Sequence, residues 1–308
     1  MPGAYAHITM AFTSCGSAGL NQLGLKGDWK VMLRENGKYF ELGAVSPDLP
    51  YLDILEGSEA KQWADAMHLA GVARRIATGV TATGQIPDAD VQAKVLAWLL
   101  GFVEHVVFDV FMHPVVNVIA GGPYGPDTKA KHRECESHQD VFIVKDQLKI
   151  NDLLAGEMIS TGVASFLGAH GGLDPDIQSV WDAMLRTSCP CLYAVNKPDI
   201  ESWYKAFVRI LKTLEAGHGL VSLARHVGID CAYPAFNALN NSYITGIATP
   251  AQTSADYIDL FKTARGHVLD VWKVVAAAVI DGQPIDEARF DGWNLDTGED
   301  SSEEKVFW

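Results

Sequence analysis

"HVVFDVFMHP", residues 105–114, sets His105, Asp109 and His113 at intervals of four inside a strongly apolar run that extends from "VLAWLLGF" to "VVNVIA". Polar groups in such surroundings are costly to bury without partners. On a helix, positions four apart lie on one side, so the three side chains form a slowly rotating stripe that faces a common cavity. The two histidines stand roughly 12 Å apart along a helix axis, whereas a zinc ligand sits about 2 Å from its ion. One ion does not take both. The economical arrangement is a cluster in which His105 holds one metal and His113 another, with Asp109 bridging or lying between them.

Working outward, "HRECE" at 132–136 repeats the spacing, and His132 and Glu136 can share one ion. Upstream, "SPDLPY" offers Asp48 on a Pro-rich loop, "WADAMH" puts His68 in an apolar helix, and "AYAHI" puts His7 near the amino terminus. His138, His170, His218, His226 and His267 show no such pairing. One His-x3-carboxylate pair alone is more often a surface hydrogen bond than a metal site. A purely structural account of all eight residues must bury several polar groups and satisfy each, so the set reads as a multinuclear centre. Glu104, beside His105 but about 100° around the helix, is expected to contact solvent or a ligand rather than a metal.

The net charge of −14, from 24 basic and 38 acidic side chains, argues against nucleic acid or an anionic membrane held by long-range attraction. An anionic substrate would need a focused positive site, which a metal centre provides. The first twenty residues lack Lys and Arg, and the five cysteines are odd in number and irregularly spaced. Both point to reduced thiols and a cytoplasmic location. "CPC" at 189–191 is a weak metal or redox signal without a second pair nearby. The oily run at 95–120 is broken by Glu104, His105, Asp109 and His113, which speaks against a membrane span.

The rest of the chain carries helical periodicity with short Gly, Pro and Asp punctuation, and the fold class is mainly α and multi-helical. Helices are expected from Ser58, Asp88, Asp127, Asp176, Asp199 and Ser254, with Pro114 kinking or ending the second. A composition of 48% hydrophobic and 20% charged residues suits one globular unit over 1–308. Its parts are a metal-binding half at 1–140, a helical scaffold and pocket half at 141–298, and a partly ordered acidic tail at 299–308.

The ordered set "AYAHI", "GAVSPDLPY", "WADAMH", "GFVEHVVFDVFMHPVVN", "HRECE" and the closing "WNLDTG" resembles the zinc-dependent phospholipase C family, distantly related to the zinc nucleases that cut single strands. The resemblance implies two or three zinc ions. Asp48, His68 and His105 match the ligands of a first zinc, which the residue matching Asp109 bridges to another. His113, His132 and Glu136 match those of the second. The third site uses the match of His7, the bridging aspartate and the amine of an N-terminal tryptophan. This chain has no such tryptophan, and Pro2 could supply a secondary amine in its place.

Clustered zinc lowers the pKa of a bound water and clamps phosphoryl oxygens, which suits hydrolysis of a phosphodiester or phosphomonoester. Asp48 is the candidate catalytic residue, as a ligand or as the base that takes the water's proton. The substrate expected is a phospholipid or a small phosphoester, approached past Tyr5, Trp63, Phe108 or Tyr124. A zinc nuclease, a small-molecule phosphatase and a noncatalytic metal-binding protein are the alternatives. Di-iron bundles use Glu-x-x-His pairs, which this spacing does not match.

Overall fold

The computed structural model describes residues 3–53, 57–149, 172–215 and 233–308. Pro2, His170, His218, His226 and Cys231 lie outside them. Among the described residues the architecture is helical, with one small antiparallel ribbon of β1 (Ile247–Ala248) and β2 (Ser254–Ala255). The helices begin with α1 (Ala4–Cys15), α2 (Ser17–Gln22), α3 (Trp29–Glu35) and α4 (Gly37–Val45). A 3-10 turn at Ser46–Asp48 then leads into α5 (Leu49–Leu52). Next come α6 (Ser58–Leu69), α7 (Val72–Gly84), α8 (Ala89–Ala120) and α9 (Lys129–Leu148). The series ends with α10 (Pro175–Ser188), α11 (Pro190–Val195), α12 (Ile200–Glu215) and α13 (Tyr257–Ile280).

The fold is organised around α8. It starts where the Asp88 carboxylate accepts the amides of Asp90 and Val91, both at 3.0 Å. It stops at Gly121, whose φ of 92° turns the chain so that the Gly122 amide reaches back to the Asn117 carbonyl at 2.8 Å. Such caps are each worth about 1 kcal/mol. Between them every residue from Val95 to Val116 is buried, as expected of a helix that is apolar all round. By length and a hydropathy of 1.8 this helix does qualify as a membrane span, contrary to the expectation from its polar interruptions. The qualifying window is wholly enclosed by protein, so its apolarity is accounted for by its central position in the core.

Helices α4, α7, α9 and α13 pack around α8. The closest approach is to α4 and depends on two glycines. A Cβ on Gly43 would fall 2.0 Å from the Trp98 carbonyl oxygen, and one on Gly101 would fall 2.0 Å from that of Phe40. The backbones touch because neither residue has a side chain.

Three local expectations need correction, and a fourth is narrowed. The segment from Ser58 divides into α6 and α7, because Gly71 adopts a left-handed φ of 71°. The segment from Ser254 opens as a strand, and its helix begins only after Asp256. Of the two outcomes expected at Pro114, a kink or an end, the end is excluded, because α8 runs on to Ala120. The proline brings no N–H to the Val110 carbonyl one turn back. Into that gap fits Gly298, where a Cβ would lie 2.5 Å from the Val110 oxygen and 2.4 Å from Pro114 Cγ. The tail is accordingly no loose extension. It folds back along α8, and Trp308 Nε1 donates to the Phe111 carbonyl at 2.9 Å.

Candidate metal centre

All eight candidate ligands are buried: His7, His68, His105, Asp109 and His132 completely, and Asp48, His113 and Glu136 nearly so. Four segments deliver the central group. His7 comes from α1, Asp48 from the 3-10 turn, His68 from the last turn of α6, and His105 and Asp109 from the middle of α8. The His7 and His105 rings stack, with centroids 4.1 Å apart. Two sets of donors lie within 4.8 Å of one another: His7, His105 and Asp109, and Asp48, His68 and His105.

The backbone decides which nitrogens turn inward. His68 Nδ1 donates to the Ala64 carbonyl at 2.7 Å, and His105 Nδ1 donates to that of Ala44 at 2.8 Å. The second bond exists because the paired glycines bring α4 against α8. Both Nε2 atoms are thereby turned inward, where they face each other at 3.4 Å. Asp109 Oδ1 stands 3.2 Å from His7 Nε2, and its Oδ2 stands 3.2 Å from His105 Nε2 and 3.8 Å from His68 Nε2. Asp48 Oδ1 is 3.3 Å from His68 Nε2. His7 Nε2, Asp48 Oδ1 and both Asp109 oxygens are nevertheless buried without a hydrogen-bond partner. Carboxylate oxygens that converge in this way on buried imidazoles call for a cation, and a nitrogen and carboxylate donor set suits zinc.

The remaining trio is arranged differently. His132 Nδ1 meets Glu136 Oε1 at 2.9 Å, and its Nε2 meets Asn117 Oδ1 at 2.9 Å. The His113 ring lies 5.9 Å from that of His132, and its Nδ1 donates to the Leu295 carbonyl. Among the described residues this trio is not drawn into a donor group as tight as the first two. The contacts of Asp109 place it between His7 and the His68–His105 pair, whereas the spacing alone put it between His105 and His113. Glu104 is fully buried, with its carboxylate 3.3 Å from His7 Nδ1. Tyr5, Trp63 and Phe108 are core residues, while Tyr124 is half-buried and packs edge-on against the His132 ring.

Further residues hold the ligands in place. Arg75 is fully buried and donates to the carbonyls of Ala66 (3.1 Å), Met67 (2.8 Å) and Ala70 (2.9 Å), so a cation closes the end of the helix that carries His68. Arg75 also reaches Cys189 Sγ at 3.6 Å. Asp140 accepts the Ala6 amide at 2.9 Å and the Tyr233 hydroxyl at 2.9 Å, anchoring the first turn of the helix that carries His7. Burial raises its carboxyl to about 7. Asp140 continues the four-residue series of His132 and Glu136, and Asn117 continues that of His105, Asp109 and His113. Both were legible as extensions of those stripes. Nothing local marks Arg75.

Charge in the metal-free cluster falls on His7. Burial alone would lower its pKa, but Glu104 and then Asp109 overcome this and raise it from 6.5 to about 10. A histidine raised in the fold contributes stability that is complete below 6.5 and is lost as the pH climbs through about 10. The metal-free protein is therefore expected to melt at falling temperature from pH 6.5 to 10. Zinc binding through Nε2 should expel this proton. Calorimetry at pH 8 in buffers of different ionisation heat would count the proton released, and a count of zero would contradict the assignment.

A family model described as zinc dependent phospholipase C matches residues 7–189, a span that contains all eight ligand candidates. No curated protein and no solved structure matches the chain. The family's chemistry is zinc-dependent hydrolysis of phosphoester bonds, and the converging donors are of the kind that holds zinc. With more than half of its length matched, the chain belongs to the zinc dependent phospholipase C family.

Proposed function

We propose that the protein is a phospholipase C-type hydrolase, which attacks a phosphodiester with a zinc-activated water. The observation that carries this reading is the convergence of His68 Nε2 and His105 Nε2, 3.4 Å apart, on an aspartate whose two oxygens are buried among three imidazoles. Asp48, His68 and His105 would hold one ion, with Asp109 shared toward a site at His7 and a further site at His113, His132 and Glu136. Zinc bound there supplies a nucleophilic water near neutral pH and neutralises charge on the phosphoryl oxygens. Asp48 is suited to move the proton. The side chains of His68, His105 and Asp109 are sealed, whereas that of Asp48 keeps 9% of its surface exposed and so connects the cluster to solvent. His7, held by Glu104 and by the Asp140-anchored helix, orients the opposite wall.

Protein purified without chelator is expected to carry two or three zinc ions by elemental analysis and to release phosphocholine from phosphatidylcholine. Chelation should end turnover and lower the melting temperature, because the ion binds the folded state alone. A panel that includes single-stranded DNA and simple phosphoesters separates this reading from a nuclease or a phosphatase. Absence of zinc would remove its basis. Full zinc occupancy with no turnover of any of the three would instead leave a noncatalytic metal-binding protein.

A further inference from the structure

Residues 293–308 lie outside the span matched by the family model and carry none of the eight candidate ligands, yet this segment touches two helices of the centre, α6 and α8. The Leu295 amide donates to the His68 carbonyl at 2.8 Å. The carbonyl of the same residue accepts from His113 Nδ1. One residue further on, the Asp296 carbonyl accepts from Asn117 Nδ2 at 2.9 Å. The segment is seated by Gly298 against Pro114 and by Trp308 against Phe111.

We infer that this segment is a positioning strap that sets the tautomers of His113 and His132 and so prepares the second metal site. The inference rests on the functional reading above. A backbone carbonyl only accepts, so the Asn117 atom 2.9 Å from Asp296 O is the amide nitrogen, which leaves Oδ1 toward His132. Oδ1 also only accepts, so His132 Nε2 carries the proton. With Nε2 so engaged, Nδ1 is the ring nitrogen turned to Glu136 Oε1, 2.9 Å away, and it is the one a metal shared with Glu136 would take. By the same rule His113 donates through Nδ1 and keeps Nε2 free. Asn117 and the Leu295–Asp296 peptides are thus positioning groups that act through the two histidines.

Two-bond 15N–1H spectra of the full chain with labelled histidine, recorded where the rings are neutral, should show His113 as the Nδ1–H form and His132 as the Nε2–H form. Asn117→Leu removes the relay, and Gly298→Val blocks the strap at Pro114 without touching a ligand. Each is expected to scramble the His132 signal and to weaken one zinc by about 10- to 100-fold, leaving the other ions bound. Asn117→Asp keeps an acceptor for His132 and should recover part of that affinity. The inference is overturned if His132 is the Nδ1–H form in the parent protein, or if both the Leu and Val variants keep the parent's tautomers and all of its zinc. A parent chain that binds no zinc counts against the functional reading, while its tautomers, read without metal, still decide the strap.

Discussion

Asp109→Asn is expected to cut phosphoester hydrolysis by about a thousandfold or more, equivalent to roughly 4 kcal/mol of barrier, and to remove most of the rise in melting temperature that zinc gives the parent. The side chain is fully buried and its two oxygens face different histidines, Oδ1 toward His7 and Oδ2 toward His105 and His68. Asparagine keeps the volume but replaces one acceptor by a donor and removes the charge, so it can serve only one of the two directions. Two divalent ions held close together without a shared anion repel strongly in a site closed to water. Those surroundings also hold the Asp109 carboxyl well below its usual range: burial works against ionisation, and His105 and His113 overcome it. Elemental analysis beside steady-state rates tests the claim. An asparagine variant that retains full zinc and more than a tenth of the rate would refute the bridging role.

Gly101→Val is expected to have the second largest effect, although the residue touches no ligand. Its missing side chain leaves room for the Phe40 carbonyl oxygen, and a Cβ there would lie 2.0 Å away from it. That atom belongs to backbone and cannot rotate aside, so α4 must move off α8. The cost is at least about 3 kcal/mol, at the upper end for overpacking. The same displacement takes the Ala44 carbonyl from His105 Nδ1, leaving the ring free to present the wrong nitrogen. Denaturant melts should show the loss of stability, and zinc affinity should fall with it. A stable variant with unchanged zinc binding would mean that α4 has no part in orienting His105.

What the sequence revealed divides along physical lines. The i, i+4 series His105–Asp109–His113 and His132–Glu136 was legible because helical periodicity fixes which side chains share a face. The predominance of helix was legible for the same reason. What stayed hidden lies in the contacts between elements. Leu295 meets His113 across 182 positions, and Ala44 meets His105 across 61, and in both cases the group supplied to the site is a main-chain carbonyl that any residue carries. No residue code marks such a partner in advance. For Glu104 the sequence left two outcomes, solvent or a ligand, and only the position of α1 decides for His7. The docking of the tail was hidden by its acidic composition, because Trp293, Leu295, Gly298 and Trp308 make the contacts while Glu303 and Glu304 remain exposed.

Pro114 bears on how such a protein can be engineered. A proline within a helix is normally a fault, costing about 3 kcal/mol relative to alanine. Replacing it with alanine would restore a backbone bond to Val110 and improve the helix considered alone. It would also remove the Cγ and Cδ carbons of the ring against which Gly298 rests. The gain to the helix would therefore be set against a lost seat for the tail, so the two have to be redesigned together.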